Sequence, residues 1–401
     1  MTIKKTKNLS LSKLTKLFIP DNKILIMVLA KSFVCIKCSK IHKPKERLVK
    51  CIKCGGPLDI IYDYKKIEEV ILKESFLRET PWHWKYWMFY PLIDLSKKVT
   101  LMEGGTPLIK SNHLSNKDKD VWFKYEALNP TGSFKDRGTT LEVSKAVELR
   151  MKQVCCASTG NMGASVAAYC ARAGLRCRIY VPFDAVGPKI RQIRAYGAEL
   201  IRVIGGYTRA AEECESYSRK TGSYLMGDYP YREEGEKSVG FEIADQMNWR
   251  VPDYVVCPMG NGTLIYAIWD AFNDLKKVGM IEKLPKMIGI QAKGCPPIYN
   301  AFKKRKKSIK PIKNPKTIAT AIECGDPLDG LKALNALRKS KGKVEIVTDE
   351  EMINTIKFLA SKEGLYVEPA GAASTAGLLK IKKLKGRIVC ILTGHGLKKP
   401  M

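Results

Sequence analysis

"QVCCASTGNMGASVAAYCARAGLRCRIYVP", Gln153 to Pro182, decides the fold. A short apolar run, "QVCCA", leads into a Ser-Thr-Gly-Asn turn, then into the small-residue stretch "GASVAAYCARAG", then into a second short apolar run, "RCRIYVP". Strand, helix and strand joined by tight turns make a βαβ unit, and βαβ units predict a parallel sheet. The alternation continues through "GPKIRQIRAYGAE", "LIRVIGG", "TRAAEECESYSRKTG" and "SYLMG". A second set follows in "DYVVCPMGNGTLIYAIWDAFNDLKK", "MIGIQAKG" and the closing "RIVCILTGHG". The expected fold class is α/β, two lobes of parallel-type sheets flanked by helices, with ligands at the carboxyl ends of the strands.

A chain of 401 residues with 45% hydrophobic composition buries a sizeable core. Its longest apolar runs, such as "ILIMVLA" from Ile24 to Ala30, fall far short of the roughly 20 residues that span a bilayer, so no membrane partner is expected. That run follows lysines as a signal peptide would. The polar "PDN" interrupts it and no small-residue cleavage site follows, so export is not expected and a cytoplasmic location is. Met27 offers an alternative start, so residues 1–30 read as a basic extension, either disordered or a start-site artefact. The net charge of +30 and the run "FKKRKKSIKPIKNPK" from Phe302 to Lys316 raise the question of nucleic acid. Lysine is spread along the whole chain, no aromatic residues interleave the run, and it reads as a solvated loop; nucleic acid is not expected as a partner. The positive field instead concentrates small anions.

Of thirteen cysteines, nine are scattered through apolar strands and helices and read as reduced, buried side chains, the Cys155-Cys156 pair among them. The other four, Cys35, Cys38, Cys51 and Cys54, form two C-x-x-C pairs, each in the context "CIKC", with twelve residues between them. Four thiolates so spaced can close a tetrahedral Zn²⁺ site and staple a segment too small to hold its own core. The expected organisation is a zinc ribbon at 31–62 and a catalytic region at 63–401, its smaller lobe within about 140–240. The aromatic segment "PWHWKYWMFYPLIDLSKK" between them reads as a linker packed onto a domain.

Three loops carry the chemistry. "ASTGNMGAS" puts the free amides of Ser158 through Gly163 at a helix N-terminus, which suits a carboxylate. "PMGNGTLIYA" has glycines that let the backbone wrap a phosphate, with a hydroxyl from Thr263. "LNPTGSFKDRGTT", Leu128 to Thr140, holds Lys135 between two turns. A lysine amine with a phosphate-binding glycine loop opposite describes a phosphate-bearing aldehyde cofactor.

"NPTGSFKDRG", "ASTGN", "GNGT", "VEPAGAAS" and "LTGHGLK" together resemble the pyridoxal-phosphate enzymes of fold type II and, among them, the threonine synthase family. The motifs run in family order over about Met102 to Leu397, and some members carry a zinc-ribbon-like N-terminus. The resemblance implies that Lys135 anchors pyridoxal 5'-phosphate and then moves protons among substrate carbons. It implies that Asn161 contacts the cofactor's ring hydroxyl, that Gly260, Asn261, Gly262, Thr263 and Leu264 hold its phosphate, and that Thr393 meets the pyridine nitrogen. Ser158 and Thr159 would receive the substrate carboxylate, and Arg232 and Lys237 the phosphate of O-phosphohomoserine. The implied reaction converts that substrate and water to threonine and phosphate. A homodimer is admitted as the assembly. Glu368 receives no catalytic role.

The chain departs from the family near Met226, Gly227, Tyr229 and Leu264, where some members carry asparagine or serine. The departures keep open a paralogue acting on another phosphorylated amino acid such as O-phosphoserine. A zinc-ribbon nucleic-acid-binding protein on a degenerate enzyme scaffold is the alternative from another class.

Overall fold

The structure, a computed structural model, describes residues 29–43, 48–71, 79–92 and 94–400. The basic extension expected at the N-terminus lies almost wholly outside them.

The chain enters through a three-stranded antiparallel sheet of β1 (Ala30–Cys35), β2 (Ile41–His42) and β3 (Leu58–Tyr62), in the order β2-β1-β3. Alternation drives it: Phe33, Leu58, Ile60 and Tyr62 are buried, while the residues between them are partly exposed. The aromatic linker follows as a run of 3-10 turns from His83 to Phe89. Phe89 stacks on Phe241 with ring centroids 4.6 Å apart, and Trp84, Tyr86 and Phe89 are almost fully buried, so the linker is packed onto the α/β part of the chain.

β4 (Leu108–Lys110) and β5 (Lys119–Tyr125) begin the larger sheet. The chain then crosses into the smaller lobe along α1 (Lys135–Glu148) and builds four parallel strands: β6 (Gln153–Ala157), β7 (Arg176–Pro182), β8 (Glu199–Val203) and β9 (Tyr224–Met226). Their order is β8-β7-β6-β9, and the helix between β6 and β7 is α2 (Asn161–Ala173). α3 (Pro230–Glu236) returns the chain, and β10 (Tyr254–Pro258), α4 (Thr263–Lys277), β11 (Lys286–Ala292), β12 (Lys343–Val347), α5 (Pro369–Lys380) and β13 (Gly386–Leu392) complete the larger sheet. Its order is β12-β11-β10-β13-β5-β4, parallel throughout except for the antiparallel edge strand β4. The two-lobed α/β arrangement expected from Gln153–Pro182 is the one observed, and Cys155 and Cys156 are buried on β6. The basic run after Phe302 forms an exposed loop with little regular structure.

The "KDRG" run ties the lobes together at the start of α1. Arg137 is fully buried, its Nε 2.6 Å from Glu126 Oε2 and its Nη1 2.7 Å from Glu242 Oε1. Asp136 accepts from the Thr131 amide at 2.7 Å and from the Ser165 hydroxyl at 2.6 Å, which fixes the turn ahead of it. A side chain at position 138 would meet Arg232: a Cβ there would lie 2.5 Å from Arg232 Cγ, so only glycine lets α1 and α3 approach this closely.

Candidate active site

The loops expected to carry chemistry all leave the carboxyl ends of parallel strands. The Lys135 loop follows β5, Ser158–Gly160 follows β6, Gly260–Gly262 follows β10 and Thr393 follows β13; Asp228, which had no expected role, follows β9. β13 lies between β5 and β10, which places the Lys135 loop, Thr393 and the Gly260 loop side by side. The Phe134 amide donates to the Thr393 carbonyl at 3.1 Å, and Ser133 pairs with Gly394 across an isolated bridge.

Lys135 is the first residue of α1, and its side chain keeps 17% of its surface exposed. Nζ lies 3.3 Å from Asp228 Oδ1 and 3.2 Å from Glu236 Oε1, and 4.6 Å from the centre of the Phe134 ring. Burial alone would lower the pKa of this ammonium, but Asp228 and Glu236 outweigh burial and hold it above the ordinary lysine range. Asp228 is bonded at both oxygens, since Asn261 Nδ2 donates to Oδ2 at 2.5 Å. Burial pushes it up, but Lys135, Arg232 and the Asn261 bond bring it below the ordinary range. Glu236 has Oε2 buried with no partner among the described residues, and burial pushes this carboxyl up to about 7 against the pull of Lys135.

Gly262 has φ +92, and a Cβ there would lie 2.9 Å from Ala333 Cβ, so the turn into α4 requires glycine. The first amides of a helix have no partner within it, and those of Thr263 and Leu264 are set by this turn. Thr263 donates its hydroxyl to Asp329 Oδ2 at 2.7 Å. Ser158 Oγ accepts the amides of Gly160 at 3.2 Å and Gly163 at 3.0 Å, which caps α2 and leaves its own proton to donate. Thr159, next to it, is only partly buried.

Two residues for which no catalytic role was expected hold the site's frame. Glu368 accepts from Asn161 Nδ2 at 2.5 Å and from Lys189 Nζ at 2.7 Å, so it orients Asn161, whose Oδ1 is left buried without a partner among the described residues. Glu142 takes Arg232, and burial pushes its carboxyl up to about 7 in spite of that cation.

Two expected phosphate ligands are already committed. Arg232 is fully buried and donates to Glu142, to the Gly227 carbonyl at 3.0 Å, to Thr139 Oγ1 at 3.2 Å and to the Lys135 carbonyl at 3.3 Å. It stands beside Lys135 but faces these partners. Lys237 is not brought to the cleft: its fully buried ammonium lies in a carboxylate cluster, 2.8 Å from Glu234, 2.7 Å from Asp270 and 2.7 Å from Asp274.

In the ribbon, the sulfurs of Cys35 and Cys54 are 3.5 Å apart and those of Cys38 and Cys51 are 3.7 Å apart, all four lying within 4.8 Å of one another. A tetrahedron with metal–sulfur bonds of about 2.3 Å has edges of about 3.8 Å, so these thiols are placed to hold one metal ion.

The residues fit a phosphate-bearing aldehyde: an accessible amine at Lys135, amides at a glycine turn across from it, a buried Asn161 oxygen still without a partner among the described residues, and a hydroxyl at Thr393. The chain belongs to the pyridoxal-phosphate dependent enzyme family, whose profile matches residues 99–394. Several relatives that share most of its length are named threonine synthase. A protein of Methanocaldococcus jannaschii named threonine synthase is 47% identical over 375 residues, 91% of this chain and 92% of the relative. A threonine synthase of Methanosarcina acetivorans is 44% identical over the same shares, and one of Synechocystis is 43% identical over 79% of this chain and 82% of its own. Among solved structures, maize serine racemase superposes with a TM-score of 0.64 at 22% identity, covering 73% of this chain and 88% of that one. The serine racemase of Dictyostelium discoideum gives 0.61 at 22% identity, covering 72% and 92%.

Proposed function

We propose that this chain is a threonine synthase, converting O-phosphohomoserine and water to threonine and phosphate. The observation that carries the proposal is the placement of Lys135, an amine at a helix start where the carboxyl ends of both parallel sheets converge, in a chain 47% identical to a named threonine synthase. Pyridoxal phosphate, when bound, supplies an electron sink that lets the substrate lose protons and its leaving group.

The chain's own residues do the rest. Lys135 anchors the cofactor and carries protons at Nζ. The amides of Gly260 to Leu264 hold the cofactor phosphate, Asn161 is held by Glu368 to meet the ring hydroxyl, and Thr393 meets the pyridine nitrogen. A neutral hydroxyl there does not favour a protonated ring as a carboxylate would, which restrains charge withdrawal. Ser158 and Thr159 receive the substrate carboxylate at the α2 N-terminus. Cys35, Cys38, Cys51 and Cys54 hold one Zn²⁺ that is structural, because four thiolates leave no open position.

One observation favours a second reading, in which the leaving group is not a phosphate dianion. Arg232 already neutralises Glu142, and Asp228 and Glu236 line the approach to Lys135. Borohydride reduction of the yellow protein followed by peptide mass mapping tests the anchor: the reduced cofactor is expected on Lys135, and its recovery on another lysine, or on none, refutes the assignment.

A further inference from the structure

Two carboxylates flank Lys135 Nζ, and their surroundings differ. Asp228 is bonded at Oδ1 by Lys135 and at Oδ2 by Asn261, which suits a permanent anion. Glu236 is fully buried at the end of α3, bonded through Oε1 alone, and its Oε2 has no donor among the described residues. A buried carboxylate that lacks donors is poorly stabilised as an anion, so its neutral form is within reach. Where the surroundings of two acids are pushed apart, one becomes the fixed charge and the other the group that exchanges a proton.

We propose that Glu236 is the proton partner of Lys135, taking the proton that the ammonium must lose before its amine can react and returning it when the amine is released. In this step the Nζ–H bond breaks and an O–H bond forms on Oε1. The ammonium becomes a neutral amine, the carboxylate a neutral acid, and no net charge is created in the buried site. The 3.2 Å separation is within direct transfer range. The charged and titratable groups facing Glu236 are Lys135 on α1, Asp228 after β9, Arg232 on α3 and the Cys257 thiol on β10. The carboxyl's elevation to about 7 by burial accords with the role.

The inference rests on the proposed role of Lys135 as cofactor anchor. Its test uses the full-length protein, stripped of cofactor with hydroxylamine and mixed with pyridoxal phosphate, with the rate at which yellow absorbance returns as the readout. Glu236→Gln is expected to reach the same final absorbance about 100-fold more slowly at neutral pH. Glu236→Asp, which keeps a titratable carboxyl, is expected to fall between that variant and the wild type. A purely electrostatic role predicts the opposite sign, because removing a negative charge beside Lys135 frees its amine at lower pH and speeds attachment. Glu236→Gln that recombines as fast as wild type or faster overturns the proposal, and so does a Glu236→Asp protein no faster than the glutamine variant. If the wild type itself gains no yellow absorbance, it is the anchor role of Lys135 that fails.

Discussion

At the scale of single residues, the site is acidic where two cations were expected to meet a phosphate. In the stretch "MGDYPYREEGEKSVGFEI", Arg232 and Lys237 stand out because a departing phosphate needs positive partners. Apart from Glu234, three residues before Lys237, their carboxylate partners come from elsewhere in the chain, Glu142 from α1 and Asp270 with Asp274 from α4, and no local pattern announces those distant pairs. Removing Arg232 alone leaves Glu142 buried and unpaired, so Arg232→Ala is expected to destabilise the fold by about 3–5 kcal/mol, and Arg232→Met with Glu142→Leu to recover much of the loss. Thermal melts of the two variants check this; a single variant as stable as wild type shows that the pair is not buried as described. Glu236 supplies a pH dependence whose sign is fixed. Its folded-state pKa of about 7 exceeds its ordinary value of 4.5, so the folded chain holds more protons between those limits. The stability it contributes is complete below the lower value and is lost as pH rises through the upper one. Glu236→Gln should therefore gain in melting temperature relative to wild type between about pH 5 and about pH 8, and a difference that does not change with pH contradicts the assigned direction.

At the scale of elements, the strand-loop-helix grammar is legible because a βαβ unit writes itself locally in apolar runs and glycine turns. "VCCASTGN" and "CPMGNGT" each form a strand, a turn and a helix start, as the spacing predicts. The role of Glu368 is not legible, since its bond to Asn161 spans 207 residues of sequence. Gly262→Ala should strain the turn ahead of α4, both through its positive φ and through the 2.9 Å approach to Ala333, and weaken pyridoxal phosphate retention more than it weakens the fold. Equilibrium dialysis of the cofactor alongside a thermal melt separates the two effects, and unchanged retention would remove the loop from the cofactor's phosphate site. The ribbon makes a matching case. β3 is tied to the catalytic region by Tyr62 to Glu234 at 2.7 Å and by Lys332 to the Leu58 carbonyl at 2.6 Å. Chelation of zinc is expected to lower the melting temperature, and metal analysis of protein purified without chelator should find one zinc per chain. Protein free of zinc and equally stable would show that the four thiols serve another purpose.

At the scale of the whole molecule, the loop after β9 of the smaller lobe meets the Lys135 and Asn261 loops of the larger sheet, and the residues proposed to meet the cofactor come from both sheets. Lys135 reaches the cleft from the larger sheet's side, Ser158 to Asn161 from the smaller lobe, and Gly260 and Thr393 from neighbouring strands of the larger sheet. Such convergence gives the chain the means to hold a cofactor, a substrate carboxylate and a mobile proton at once. The central claim is that this cleft makes threonine from O-phosphohomoserine through Lys135. The most direct measurement follows threonine and inorganic phosphate together, with O-phosphohomoserine and with O-phosphoserine, for the wild type and for Lys135→Ala. Equal amounts of threonine and phosphate from O-phosphohomoserine with the wild type, and neither with the variant, is the predicted result. Turnover of O-phosphoserine alone, or threonine formation that survives in Lys135→Ala, would contradict it.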